Sequence, residues 1–249
     1  MKVVASYSIK GGVGKTTTAV NLAWLAHRAG ISTLLLDLDP QGASSFYLRH
    51  DNKGSLQSKQ WLTGKTDLQR HVLSTDYEWL DLVAAHDSFR DLDIELAALD
   101  SNLLRQLIRS LKKKYQLIVV DCPPTVNHLS AQIFRAAHRI LVPVQPTTLS
   151  ERTFAQLNAR LTELGVKDSK LLPFFSMVEA RKRLHREVMH AFSAQYPATL
   201  QAQIPFSAEI ERMGLERAPL GTFGGKRAPA RAYEALWRLV LTEARIPVI

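Results

Sequence analysis

The sequence predicts an α/β fold, a doubly wound and mostly parallel sheet with helices on both faces. Three observations predict it: apolar runs alternate with helical patterns, a glycine-rich loop joins the first run to the first helix, and later runs end in acidic residues. The 249 residues contain no Pro/Gly/Ser-rich linker, repeat or low-complexity tract. We therefore expect residues 1–249 to form one domain.

The elements follow from the periodicity of apolar residues. Short continuous apolar runs are typical of strands that are buried on both faces of a parallel sheet, whereas apolar residues three and four apart indicate helices. The first strand is expected within KVVASYSI, and the others at 31–37, 79–84, 116–121, 139–144 and 171–177. Helices are expected at 16–29, 90–113, 150–164, 181–195 and 228–244.

The glycine-rich loop after the first strand has the composition of a phosphate-binding loop. Residues 10–17 read KGGVGKTT, so Gly14, Lys15 and Thr16 fill the last three positions of G-x-x-x-x-G-K-[ST], while Ile9 occupies the opening glycine position. Inward-turned backbone N–H groups and a helix N-terminus bind phosphate anions. We expect Lys15 to contact the outer phosphates and the Thr16 hydroxyl to bind Mg²⁺.

Carboxylates end two of the predicted strands. Asp37 and Asp39 close STLLLDLD, and Asp121 closes YQLIVVD. Ligands of such sheets gather at the carboxyl ends of the strands, where a carboxylate can hold Mg²⁺ beside a nucleoside triphosphate. We assign Asp121 to the metal. Because Pro40 disfavours a continuing strand, we expect Asp37 to stay at the strand end, suited to the metal, and Asp39 to position a water from a turn.

Composition limits the remaining possibilities. The net charge is +9, and residues 101–249 carry 22 Lys and Arg against 11 Asp and Glu. This excess fits either a polyanionic partner or a basic solvated surface. The single cysteine, Cys122, excludes an intramolecular disulfide and is expected to be buried. The apolar stretch before the glycine loop is too short for a signal peptide, and no run approaches a membrane span, so we expect a cytoplasmic protein without membrane binding.

Several motifs together resemble one family. KGGVGKTT at 10–17, DLDPQG at 37–42, VVDCPP at 119–124, VPVQP at 142–146 and IPFSAEIERMGLERAPLG at 204–221 resemble the ParA/MinD family of ATPases, in its ParA-type branch. The resemblance extends over nearly the whole chain. It implies a P-loop NTPase fold of the SIMIBI class, with ATP and Mg²⁺ as ligands.

The resemblance also implies roles for individual residues. Lys10 would reach across an ATP-sandwich homodimer to the phosphates of the other subunit, Asp39 would orient the attacking water, and Asp37 would lie near the metal. Catalysis would then depend on Lys10, Lys15 and Asp39. The nucleotide-binding residues would be Lys10, Gly11, Gly12, Val13, Gly14, Lys15, Thr16 and Thr17, and the metal would be held by Thr16, Asp37 and Asp121.

By the same resemblance, the ATP dimer would bind DNA without sequence preference, lie on the nucleoid, and be reset when a cargo-bound ParB-like or adaptor protein with a basic segment stimulates hydrolysis. Two basic clusters are candidate DNA contacts, although a solvated basic surface explains each as well. They are Arg181, Lys182, Arg183 and Arg186, and Lys226, Arg227 and Arg231. The segment FGGKRAPARAY at 223–233 departs from the YDPxSxGAxxY pattern of chromosome-partition members, so the cargo stays open among plasmids, chromosomes, carboxysomes, chemoreceptor clusters and other bodies.

Two alternatives from other classes remain. A MinD-like positioning ATPase would sediment with anionic liposomes in ATP rather than with DNA. A metabolic ATP-dependent ligase or kinase on the same fold would need a small-molecule acceptor and would turn over without DNA or a protein partner.

Overall fold

The computed structural model describes residues 1–50, 56–58, 60, 67–90, 94, 96, 102–167 and 170–247 of the chain. Its strands form one sheet in the order β3-β4-β2-β5-β1-β6-β7-β8, in which only the edge strand β3 pairs antiparallel. The strands are β1 (Lys2–Ser6), β2 (Thr33–Asp37), β3 (Leu73–Ser74), β4 (Leu80–Val83), β5 (Leu117–Asp121), β6 (Arg139–Val144), β7 (Leu171–Val178) and β8 (Gln203–Pro205).

Helices cover both faces of this sheet. Val3 and Ala5 of β1 pack in one apolar cluster, while Val4 between them packs in the other, so the central strand is buried on both faces. The helices are α1 (Lys15–Arg28), α2 (Ala43–Tyr47), α3 (Leu103–Ser110), α4 (His128–Ala136), α5 (Thr148–Glu163), α6 (Arg183–Gln195), α7 (Ala208–Glu211), α8 (Met213–Glu216), α9 (Leu220–Gly224) and α10 (Ala228–Ala244).

The strand register brings the functional ends of the central strands together. Asp121 at the end of β5 pairs with Asp37 of β2 on one side and with Ser6 of β1 on the other. The glycine loop leaves β1 at this same edge and leads into α1. The carboxyl ends of three neighbouring strands thus form one edge of the sheet, as the fold class predicts.

The predicted fold class and the predicted strands are confirmed, but the short elements β3, β8, α2, α7, α8 and α9 were not predicted, and the longer helices differ as follows. Within the predicted helix at 90–113, Arg90 ends a separate 3₁₀ turn, Ile94 and Leu96 are helical, and a helix runs over Leu103–Ser110. Residues 91–93, 95 and 97–101 lie outside the described residues. The helix predicted at 181–195 begins at Arg183, so Arg181 and Lys182 precede it. The prediction also missed α4, whose start is capped by the side chain of Asn127.

Two observations concern membrane-spanning helices and the single cysteine. Within the part of the chain that the structure describes, no helix combines the length and the apolar character that crossing a membrane requires. Cys122 is buried, as predicted, and its burial raises the pKa of the thiol.

Candidate nucleotide site

The glycine loop turns sharply between β1 and α1. Gly12 and Gly14 have φ values of 70° and 94°, in the left-handed region that favours glycine. A Cβ atom at Gly14 would lie 3.2 Å from both the Ser176 and the Thr17 hydroxyl oxygens, so a side chain there would crowd its neighbours. The loop ends where α1 begins at Lys15, which leaves the first N–H groups of the helix available to an anion.

The two lysines of the loop differ in burial: Lys15 is buried and Lys10 is exposed. Lys15 is only 7% exposed, and its Nζ lies 3.5 Å from the carbonyl oxygen of Lys10. Burial lowers the pKa of Lys15, while the carboxylates of Asp121 and Asp39 act in the opposite direction. Lys10 is exposed, and its Nζ donates a hydrogen bond to Oε1 of Gln145, just after β6, at 2.8 Å. The site therefore contains one buried lysine, Lys15, and one lysine at the surface, Lys10.

Asp37 and Asp121 differ in how their oxygens are used, although both are fully buried. Oδ2 of Asp37 accepts hydrogen bonds from the backbone N–H and the hydroxyl of Ser45 at 2.9 and 2.7 Å, and Oδ1 accepts one from the Asp39 N–H at 3.2 Å. Oδ2 of Asp121 accepts the Ser44 hydroxyl at 2.7 Å. Its Oδ1 is buried and has no hydrogen-bond partner.

Both carboxyls are harder to ionise than an ordinary aspartate. Burial, reinforced by the charge of Asp121, raises the pKa of Asp37 to about 8, although hydrogen bonds from Ser45 oppose this shift. Burial raises the pKa of Asp121 to about 6, while the hydrogen bond from Ser44, the neighbouring Thr16 hydroxyl and the charge of Lys15 lower it. A bound cation would favour the ionised form of both carboxyls.

The arrangement fits a magnesium ion held mainly through Asp121. Its Oδ1 is an unused acceptor, and the Thr16 hydroxyl acts on the same carboxyl. The oxygens of Asp37 already accept hydrogen bonds, which suits contact with a metal through water. No group of three or more His, Cys, Asp or Glu side chains among the described residues could hold a metal. The remaining ligands would have to be phosphate oxygens and waters, which Mg²⁺ commonly retains.

Asp39 lies outside the strand, as predicted from Pro40. Strand β2 ends at Asp37, and Oδ1 of Asp39 accepts the Gln41 N–H at 2.9 Å in the turn that leads to Gly42 and α2. Its side chain is therefore oriented by the turn and remains partly exposed beside the buried pair.

A pocket of about 300 Å³ opens beside the glycine loop. Its floor is formed by the loop and α1, and its walls by α2, the end of β7, the β8–α7 segment and α10. The lining residues are Gly12, Gly14, Lys15, Thr16, Thr17, Ala43, Tyr47, Ser176, Met177, Ile204, Pro205, Phe206, Ser207, Ile210, Glu211 and Tyr233. This volume lies at the lower end of the range for small-molecule pockets.

The sequence analysis did not predict that the segment from β8 to α7 lines the pocket, and it did not predict the hydrogen-bond partners of Asp37 and Asp121. The IPFS segment entered only as part of a family resemblance, because β8 is three residues long and carries no periodic signal. Ser44 and Ser45 lie one residue beyond the DLDPQG motif, and small hydroxyl residues there could have indicated partners for the two acids.

The C-terminal segment is bonded to the glycine loop and to α1. The Tyr233 hydroxyl, on α10, donates to Thr17 Oγ1 at 3.1 Å, and Thr17 in turn donates to the Gly14 carbonyl at 3.1 Å. The Asn21 side chain accepts the Leu220 N–H at 2.9 Å. These contacts connect the helix that follows residues 226–231 with the predicted phosphate cradle.

The two basic clusters are exposed, and several of their charges are already paired. Ion pairs join Lys182 to Glu179 at 2.5 Å, Arg183 to Glu187 at 2.6 Å, and Arg227 to Glu209 at 2.8 Å. Arg186 donates to the carbonyl of Ala180 at 2.8 Å. Among the described residues, no hydrogen bond or ion pair connects one cluster with the other. That they form one DNA-binding surface stays a prediction.

Comparison with known proteins identifies the family. Residues 1–172 match the family model described as an AAA domain. The chain is 34% identical to the chromosome partitioning protein ParA of Myxococcus xanthus over 95% of this chain and 87% of that protein. It is 29% identical to ParA of Caulobacter vibrioides over 98% of this chain and 96% of that protein.

Solved structures agree with the fold. A plasmid partition protein of Borrelia burgdorferi bound to AMPPNP is 19% identical with a TM-score of 0.83, covering 97% of this chain and 98% of that one. A cobyrinic acid a,c-diamide synthase of Mycobacterium smegmatis with a bound ATP analog and magnesium is 25% identical with a TM-score of 0.81, covering 100% and 99%. The fold, the AAA-domain match and the extent of the similarity to ParA all agree with the expectation from the sequence. The chain belongs to the ParA family of P-loop ATPases.

Proposed function

We propose that this protein is a partition or positioning ATPase, in which residues 1–249 act as one domain that forms an ATP-sandwich dimer, binds DNA without sequence preference and moves a large cargo. A cargo-bound partner resets the cycle by stimulating hydrolysis. Membership of the ParA family supports the general class of activity. The individual steps are argued below from the residues of this chain.

ATP binding uses the glycine loop and the adjacent pocket. The backbone from Lys10 to Thr17 surrounds the phosphates, Lys15 supplies the buried charge, and the apolar wall of Met177, Pro205 and Phe206 offers a surface for the base. The pocket opens directly from the glycine loop, so one ligand can occupy both.

Hydrolysis requires a positioned water and a neutralised phosphate chain. Mg²⁺, when bound, would neutralise charge on the phosphates; Thr16 and Asp121 hold it and Asp37 orients its surroundings. Asp39 lies in the turn just beyond this pair and orients the attacking water. The buried pair and the turn residue thus have separate tasks.

Dimerisation is the function of Lys10, and the outward direction of this side chain carries the proposal. Lys15 already serves the phosphates from within the subunit, whereas Lys10 is exposed and its Nζ donates a hydrogen bond to Gln145 alone among the described residues. An exposed side-chain hydrogen bond contributes about 1 kcal/mol or less, so a phosphate anion on a second subunit can displace it. ATP then joins two chains.

DNA binding depends on this dimer because two copies double the basic surface. The affinity of a protein for DNA changes with salt in proportion to the number of phosphates it contacts. Hydrolysis separates the subunits, halves the footprint and releases DNA, so the nucleotide acts as a timer.

The test measures assembly and nucleotide binding separately. Lys10→Ala should keep nucleotide affinity within about twofold but fail to form dimers in ATP and Mg²⁺, since it loses only the contact across the interface. Light scattering coupled to size exclusion, with Asp39→Ala to slow hydrolysis in both proteins, reads the dimer directly. Lys112→Ala, an exposed lysine outside the site, is the matched control. Normal dimers of Lys10→Ala would refute the role of this lysine between subunits.

A metabolic ligase is the second candidate, favoured by the 25% identity to the cobyrinic acid a,c-diamide synthase over the whole chain. A ligase would hydrolyse ATP in response to a small acceptor and not to DNA or a protein. Phosphate release measured with duplex DNA, with ParB-type protein and with cobyrinic acid plus glutamine separates the two functions. Stimulation by the acid alone would exclude the positioning role.

A further inference from the structure

A second cavity lies at the opposite edge of the sheet, at the amino ends of the central strands. Its volume is about 510 Å³. It is bounded by the starts of β1, β6 and β7, by α3, by the end of α4 and by the end of α10. Seven lysine and arginine side chains line it: Lys2, Arg105, Arg135, Arg139, Lys167, Lys170 and Arg245. They come from six separate segments of the chain, so the cluster exists only in the folded protein.

Within the part of the chain that the structure describes, these cations are not paired with acids. None of the seven forms an ion pair within 4.0 Å there, whereas Lys182, Arg183 and Arg227 elsewhere on the surface all do. Among the described residues, Glu243 is the one acidic residue of the lining. The Nε atom of Arg139 is buried and has no hydrogen-bond partner. An anion in the cavity would reduce the repulsion between these like charges.

The pKa and the hydrogen bonds of Lys170 reflect the positive charge of this cavity. Lys170 donates three hydrogen bonds to the carbonyls that end α4, those of Phe134, Arg135 and Ala137 at 3.1, 3.4 and 2.7 Å. Burial lowers its pKa, and the charges of Arg105 and Arg139 lower it further. Lys170 thus offsets the negative end of the helix dipole, and the helix end does not neutralise the other cations.

We propose that this cavity is a binding site for a compact polyphosphate anion, such as the phosphate chain of a nucleotide or an inorganic polyphosphate. Four arginines supply planar forks that can hold phosphate oxygens in pairs, and the lysines add point charges. The cavity has the size of a small-molecule site. A concave cavity admits such a group completely, whereas a DNA duplex presents a convex surface and would reach only its rim.

The site is independent of the proposed ATPase cycle, because the glycine loop lies at the carboxyl ends of the same strands. The glycine loop would itself bind a polyphosphate, however, so a Lys15→Ala background is used to weaken that competing site. In this background, isothermal titration with sodium tripolyphosphate should show one site per chain. A protein that binds no tripolyphosphate would overturn the proposal.

Substitution then locates the site. Arg105→Gln with Lys167→Gln removes two exposed cations of the cavity without disturbing the core and should weaken tripolyphosphate binding about tenfold or more. Arg109→Gln with Lys112→Gln, on and just after α3, removes the same charge outside the cavity lining and should leave binding unchanged. Equal weakening by both pairs would mean a general charge effect and would refute the site.

Two further titrations identify the ligand. If GTP binds more tightly than tripolyphosphate and loses the same factor in the Arg105→Gln, Lys167→Gln variant, the ligand is a nucleotide; equal affinities indicate an inorganic polyphosphate. Either result supports the site. If the variant instead loses affinity for duplex DNA and keeps its affinity for tripolyphosphate, the cavity belongs to a DNA-binding surface and the proposal is wrong.

Discussion

The charged groups at the carboxyl ends of the central strands are buried, whereas those of the two basic surface clusters are exposed. Lys15 is 7% exposed and Asp37 and Asp121 are fully buried, with most of their oxygens assigned to named donors. The side chain of Arg183 in the first cluster is 86% exposed and that of Arg227 in the second is 54% exposed. Buried charges have one geometry and one set of partners, whereas exposed charges contribute mainly through their sum.

This difference predicts how each region responds to substitution. A buried charge removed from the nucleotide edge leaves its partners without compensation, so single changes there should have large and specific effects. An exposed cation interacts through water and salt, so one change should have a small effect and several should add. The experiments below test this contrast, from the largest expected effect to the smallest.

The largest effect is expected at Asp39. Asp39→Ala should leave ATP affinity and dimer formation intact while lowering the hydrolysis rate by about 10²- to 10⁴-fold, because the attacking water loses its orienting carboxylate. Phosphate release under single-turnover conditions measures this. Asp121→Ala provides the comparison, since it should weaken Mg²⁺-dependent binding instead. Turnover of the Asp39 variant at the parental rate would show that the carboxylates do not divide their tasks in this way.

Lys15→Ala should come next. It removes the one buried lysine of the site, and the loss of a charge-assisted contact of about 1.5–3 kcal/mol weakens ATP binding by about 10- to 150-fold. Titration calorimetry with ATP and Mg²⁺ gives the affinity. Lys112→Ala should bind ATP normally. An unchanged affinity of Lys15→Ala would contradict the assignment of the buried lysine to the phosphates.

The exposed cluster at 226–231 should show a smaller effect that depends on salt. Lys226→Glu with Arg227→Glu should remove DNA binding at moderate salt without changing ATP-driven dimerisation, and because Arg227 pairs with Glu209, the change also leaves that acid uncompensated. Unmodified protein should bind unrelated duplexes equally, with a slope of log affinity against log salt about 0.9 steeper for each added phosphate contact in the ATP dimer.

Gel shifts on two duplexes across a salt series measure this effect, with Lys112→Glu and Lys113→Glu as a control of equal charge change. Full DNA binding by the 226–227 variant, strong sequence preference or equal binding in ADP would each contradict the proposed role of this cluster.

The smallest effect is a pH dependence of stability. Burial raises the pKa of Asp37 from its ordinary 3.8 to about 8, so the folded protein binds more protons than the unfolded chain across this window. Its contribution to stability is therefore present at low pH and is lost as pH rises through about 8. The pKa values of His71 and His138 are lowered from the ordinary 6.5, so these two groups make stability rise with pH only below about pH 6.5. Above that pH they do not oppose the fall that Asp37 causes.

Melting of the nucleotide-free protein between about pH 6.5 and 8.5 tests this. The melting temperature should fall by about 2–4 °C, which corresponds to about 1 kcal/mol in a chain of this size. Asp37→Asn should flatten the curve, because the amide does not titrate. A melting temperature that rises with pH in the parental protein would give the opposite sign and refute the assignment.

Most of the site could be predicted because its signals are local in the chain. The glycine loop is a run of eight residues between a strand and a helix, and Asp37 and Asp121 each end an apolar strand. Strand β2 ends at Asp37, just before Pro40, which lacks the N–H that a strand ladder needs, and the strand bounds at 139–144 were predicted to the residue. Short elements such as β8 and α2 escaped, because three to five residues carry no detectable periodicity.

The sequence by itself therefore determined the parallel α/β sheet, the phosphate-binding loop and the acidic strand ends, since each depends on residues that are neighbours in the chain. Only the tertiary structure decided that Ser44 bonds Asp121 while Ser45 bonds Asp37, and that one oxygen of Asp121 stays without a partner. It also decided that seven cations from six segments of the chain line one cavity. The physical reason is that strand order and helix packing bring remote side chains together, and the pattern along the chain carries no record of those distances.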